Sequence, residues 1–123
     1  MRRMAHANQR LRLTRQDGTE VSSDVRIADS LWSRFVGLMG RKELPDREAL
    51  CIRPCSSIHM FFMRFPIDAV FVDADGAVVR IYGSIKPWRA TWIVRGAKAC
   101  LELPAGTAAK HGLEVGSHLE LVD

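Results

Sequence analysis

Leu11 and Leu13 alternate with arginines across positions 10–15, a two-residue period that predicts a half-buried strand. Asp17-Gly18 supplies a turn, and Val21, Val25 and Ile27 carry a second strand over 20–28. The period then changes. Leu31, Phe35 and Leu38, with Trp32, Val36 and Met39 beside them, recur every three to four residues, which predicts a helix with an apolar stripe. Asp29 or Ser30 is placed to cap its start, and Gly40, with Arg41 just beyond, sits where a left-handed residue would close it. Gly37 in the last turn costs about 1 kcal/mol relative to alanine, which predicts close approach of another backbone, or of a ligand.

Beyond a polar loop over 42–48 the pattern is mostly strand. Leu50-Cys51-Ile52 is short and stops at Pro54, whereas 58–65 is apolar on both faces and predicts a strand inside a sheet covered on both sides. Segments 67–72 and 77–82 flank Asp73-Ala74-Asp75-Gly76, a hairpin turn with Gly76 at the positive-φ position. A loop over 84–89, broken by Pro87, leads to strands over 91–94 and 97–103. Two helical turns at most follow over 107–111, ended by Gly112, and 118–122 closes the sheet. The expected fold is mainly β: a compact β-sandwich or partly closed barrel with one two-to-three-turn helix and a second short helix.

Three motifs in order, Gly37-Leu38-Met39-Gly40-Arg41, Phe61-Phe62-Met63-Arg64-Phe65-Pro66-Ile67-Asp68 and Leu101-Glu102-Leu103-Pro104-Ala105-Gly106, give the chain a family likeness. It resembles the domain of unknown function 192 family of bacteria and archaea from about Val25 to Val122. The resemblance implies a mostly β, sandwich-like fold and an aspartate at the place of Asp68, but no reaction. The common family form has a longer Trp-Met-Lys-Asn-Thr stretch before that aspartate. Here Phe62-Met63-Arg64-Phe65-Pro66 is shorter and lacks the asparagine and threonine.

Composition narrows the class. A chain of 123 residues that is 47% hydrophobic supports one core without disulfide staples. No apolar run reaches the ~18 residues of a membrane span, and no apolar stretch of a signal peptide follows the basic start, so a cytoplasmic location is expected. Cys51, Cys55 and Cys100 read as reduced thiols. Residues 1–15 hold five arginines and no acid, while the rest carries 13 basic and 14 acidic side chains. The sequence therefore divides into a disordered basic arm over 1–9 and one domain over 10–123. Arg2, Arg3, Arg10 and Arg12 give a possible phosphate-contacting route to nucleic acid or acidic lipid. The stretch from Ala105-Gly106 to Gly116 faintly resembles swapped-hairpin regulators, which is compatible with that route.

Candidate chemistry centres on Asp68. On a strand over 67–72 it shares its face with Val70 and Val72, where a carboxylate needs partners. Arg41, His59 and Arg64 are candidate cations, and the alternative is that Asp68 ties down a corner by accepting backbone N–H bonds. Trp88, beside Arg89 and near Trp92, forms an apolar wall or plugs the end of the sheet. Cys51, Cys55 and His59 are of zinc-ligand type, but four residues of strand span roughly 13 Å and no fourth ligand is evident, so no metal and no cofactor are expected. Asp73 to Gly76 departs from a calcium loop in its glycine position. Glu102, between Leu101 and Leu103, is expected to face solvent or a cleft mouth. These residues predict a non-catalytic binding module in which Arg41, His59, Arg64, Asp68 and Trp88 hold a small polar ligand or peptide. The rivals are a hydrolytic or thiol-based enzyme using Cys55 and His59, and a nucleic-acid-associated regulator using the arm.

Overall fold

The alternation at Leu11 and Leu13 builds β1 (Leu11–Arg15), which turns through Asp17-Gly18 into β2 (Glu20–Ala28). Gly18 takes φ +88°, and the Asp17 carboxylate accepts the Thr19 amide at 2.9 Å. The computed structural model describes residues 11–123, so the predicted arm over 1–9, with Arg2 and Arg3, and Arg10 after it lie outside the described residues. Arg12 lies within β1, 3.7 Å from the Glu20 carboxylate.

After β2 come α1 (Leu31–Val36), β3 (Glu48–Ile52), β4 (Ile67–Val72), β5 (Val78–Ile85), β6 (Ala99–Pro104), α2 (Thr107–Lys110) and β7 (Leu119–Val122). The seven strands form one sheet in the order β5-β4-β6-β3-β2-β1-β7. β2 and β3 pair in parallel, because α1 and its loop carry the chain across; the remaining pairs are antiparallel. The ends of the sheet then approach each other. Val78 donates to Ser117 O at 2.8 Å, Gly116 to Val78 O at 2.9 Å and Leu119 to Gly76 O at 2.9 Å. The result is the partly closed barrel, with both expected helices present but short. No described helix is long and apolar enough to cross a membrane.

Alternation along the strands fills two cores. One draws on all seven strands and α2, with Leu13, Val25, Cys51, Val70, Leu101, Leu103 and Leu119 among its members. The other lies on the opposite face, where Leu50, Ile52, Ala69, Phe71 and Cys100 meet Leu38, Ile58, Met60 and Met63 from covering loops. Both faces of β4 and β6 are covered, so their residues are nearly all buried.

Three local expectations change. Segment 58–65 is not a strand: Phe62 turns the chain at φ +63°, and Met60 exchanges backbone bonds with Trp88 and Arg89 instead of a sheet neighbour. Its two-faced apolarity arises because Ile58, Met60 and Met63 point into the second core while Phe61 and Phe62 point out. Segment 91–94 is also no strand: its amides make isolated backbone bonds to the covering loop, from Thr91 to Ile58 O and from Val94 to Ser56 O, and no ladder. The first helix has six residues, capped by a Ser30–Ser33 capping box, and none of them is buried. Its stripe of Leu31, Trp32 and Phe35 faces outward, and Leu38, just beyond it, is the residue that enters the core.

Candidate functional site

A cavity of about 710 Å³ lies on the second face, between the sheet and its covering loops. The end of α1 with the turn after it, over 34–39, the loop over 54–59 and parts of 90–98 wall it, and Glu102 of β6 enters from the sheet. The strand period puts Glu102 there. Leu101 and Leu103 point into the first core, so Glu102 shares the second face with Cys100 and is paired across strands with Leu50 and Ala69.

Only 4% of Glu102 is exposed, and no described residue hydrogen-bonds its carboxyl. Burial, with a smaller contribution from Cys55, pushes its pKa up to about 8. Gly37 explains part of the access. It ends α1 at φ +49°, and a methyl group placed there would lie 3.8 Å from Glu102 Oε1. The costly glycine thus sits over the carboxyl and its neighbours Leu50 and Ile52, side chains rather than a second backbone.

Cys55 shares the cavity, and its amide donates to Lys98 O at 3.0 Å. A hydrogen bond from the Cys100 thiol lowers its pKa, against the effect of burial, with help from the Ser57 backbone and the Arg34 charge. Cys100 is fully buried, and that burial raises its own thiol well above the ordinary range. His59 lines the cavity too, but its ring nitrogens bond elsewhere than to Cys55. Its Nδ1 accepts the Phe61 amide at 3.1 Å, which leaves Nε2–H to donate to Phe35 O at 3.2 Å. Both ring nitrogens are committed to backbone, so the imidazole positions α1 against the covering loop.

The other residues singled out in the sequence lie elsewhere. Asp68 is 1% exposed, with Oδ1 accepting the Ser84 amide and Oδ2 the Ala108 amide, each at 2.8 Å. It ties the irregular end of β5, where Ser84 has φ +50°, to the first turn of α2. Arg41 donates to Glu48 at 3.3 Å. Arg64 is exposed. Trp88 is also exposed, at φ +68°, with its ring centroid 6.1 Å from Phe61 and 4.9 Å from Phe62. Of the five, His59 alone lines the cavity. Glu102 was hidden in the sequence because alternation gives a residue's face and not whether that face is covered. Its place between two leucines in a run as apolar as 99–104 was the available signal.

Comparison with known proteins places the chain in a family and supports the fold. The family described as DUF192, uncharacterized ACR, matches residues 12–121. The UPF0127 protein of Pyrococcus furiosus is 37% identical over 108 residues, spanning 84% of this chain and 90% of that one. A UPF0127 protein of Pyrococcus abyssi is 33% identical, over 80% and 86% of the two chains. Among solved structures, a protein of unknown function from Novosphingobium aromaticivorans superposes with a TM-score of 0.77 at 25% identity, covering 96% of this chain and 91% of that one. A candidate transcription regulator from Sinorhizobium meliloti gives 0.76 at 26% identity, covering 97% of each.

Proposed function

The chain belongs to the domain of unknown function 192 family, and from that footing we propose that it is a cytoplasmic, non-catalytic binding module for a small ligand in the cavity over Glu102. The observation that carries this reading is a buried carboxyl, open to a cavity, with no hydrogen-bond partner among the described residues. No unpaired polar side-chain atom is sealed off among the described residues, so the carboxyl reaches the cavity, where a ligand atom can take the place of water.

Electrostatics select the ligand. With a pKa near 8, Glu102 is mostly protonated at neutral pH and acts as a donor, while Arg34 and Lys98 also line the cavity. A neutral acid beside two cations favours an oxygen acceptor, so the ligand class is a small carboxylic acid or the C-terminal end of a peptide. Leu38, Ile52, Ile58 and Met63 supply the apolar contact for its body. The commitment of both His59 nitrogens weighs against a Cys55–His59 dyad and for binding over catalysis.

A calorimetric panel of small carboxylates and small amines at pH 6.5 and pH 9 tests the reading. Carboxylates bind at pH 6.5 and weaken by about tenfold or more at pH 9, where Glu102 has lost its proton. Glu102→Gln keeps binding and loses the pH dependence, while Glu102→Ala loses binding. A panel in which only amines bind, or in which Glu102→Ala changes nothing, overturns it.

A further inference from the structure

Nine large hydrophobic residues are exposed among those described, and eight of them fall in the segments 31–38, 59–66 and 84–98. Leu31 is 79% exposed, Trp32 73%, Trp92 87% and Ile93 77%. The same segments hold Arg34, Arg64, Lys86, Arg89, Arg95 and Lys98, and no Asp or Glu. None of these six cations is ion-paired with a described residue, and five of them are exposed. Asp29, before α1, and the buried Asp68, after Pro66, are the nearest acids in sequence.

Backbone bonds and ring contacts join the segments. Met60 donates to Arg89 O, Trp88 to Met60 O and Thr91 to Ile58 O, while Gly40 donates to Phe62 O behind α1. A chain of ring contacts runs from Trp32 through Phe35, His59 and Phe61 to Trp88 and Phe62, with centroids 4.9–6.2 Å apart.

We propose that this face docks on an anionic lipid surface, with the aromatic and aliphatic tips in the headgroup zone and the cations on lipid phosphates. Tryptophan, phenylalanine and leucine among unpaired Lys and Arg is the composition that partitions into a charged bilayer interface. Other occupants fit less well. A second copy would set six cations against six. Single-stranded nucleic acid wants open ring faces, but most of these rings abut one another, and Leu31 and Ile93 have nothing to stack on a base. An acidic peptide would satisfy the charges but gives the aliphatic tips no apolar phase.

Leu31, Arg34, Phe35 and Lys98 belong both to this face and to the cavity wall, but the inference fails separately from the cavity reading, since Arg89, Trp92, Ile93 and Arg95 do not line the cavity. Sedimentation with vesicles of phosphatidylcholine alone, or with about one-third phosphatidylglycerol, provides the test, read together with tryptophan emission. The protein sediments with the anionic vesicles only, its emission shifts to the blue, and added salt weakens the association. Trp92→Ala with Ile93→Ala, and separately Arg89→Glu with Arg95→Glu, each lower the partition by about tenfold or more while the thermal unfolding midpoint holds. Equal partition of these variants, no sedimentation with anionic vesicles, or capture of single-stranded oligonucleotide or polyglutamate in their place overturns the proposal.

Discussion

Asp68 and Glu102 lie on neighbouring antiparallel strands, face opposite cores, and meet burial in opposite ways. Both Asp68 oxygens accept a backbone amide, so its charge is satisfied within the fold. Asp68→Asn puts an amide NH2 against one of those N–H groups, donor facing donor. The expected loss is about 1–3 kcal/mol in urea unfolding, with faster hydrogen exchange at Ser84 or Ala108. A loss below the measurement error would mean that the tie is dispensable. Glu102 has no such partner. Its folded pKa, about 8, stands above the ordinary 4.5, so the folded state holds the proton more tightly than the unfolded chain. That contribution is complete below pH 4.5 and is lost as pH rises through about 8, at roughly 1.4 kcal/mol per pH unit. Glu102→Gln cannot titrate. Wild type and variant should therefore unfold alike at pH 4 or below, and the variant should be the more stable at pH 8.5. Parallel pH profiles would place the carboxyl in water.

At the scale of elements, the hairpin from β4 to β5 shows how much one turn decides. The Asp73 carboxylate accepts the Asp75 and Ala77 amides at 2.9 and 3.0 Å, the turn that Asp73-Ala74-Asp75-Gly76 announces in the sequence. What the sequence does not announce is that Gly76 also meets β7. A Cβ there would run into the Leu119 carbonyl, so Gly76→Ala adds a clash to the strain of φ +88°. Gly18 has the same φ but open space around it, which makes Gly18→Ala the control. The control should cost about 1–3 kcal/mol, and Gly76→Ala clearly more, with amides 116–119 losing protection first. Equal costs would show that the seam yields freely. Strands and turns were legible because period and turn chemistry are local. The α1 stripe and the 58–65 run misled because apolar spacing does not say whether a partner surface exists within the same chain.

Over the whole molecule, charge is sorted more sharply than its total suggests. Residues 16–123 are nearly balanced, yet six of their 13 cations share three segments free of acid, and the remaining surface is left acidic. This partition could be counted from the sequence, but only the covering loops bring the three segments together. The cavity was illegible for the same reason, since its walls come from stretches as far apart in the chain as Leu31 and Glu102.

Phe62 and Trp88 hold left-handed backbone angles that glycine adopts without strain, and both present their rings to solvent. Exchanging either for glycine would release a penalty of about 1 kcal/mol or more. Heat-resistant variants bred without regard to what the protein grips would therefore tend to shed this aromatic rim. Such stock is the wrong material for ligand hunting, however well it crystallises.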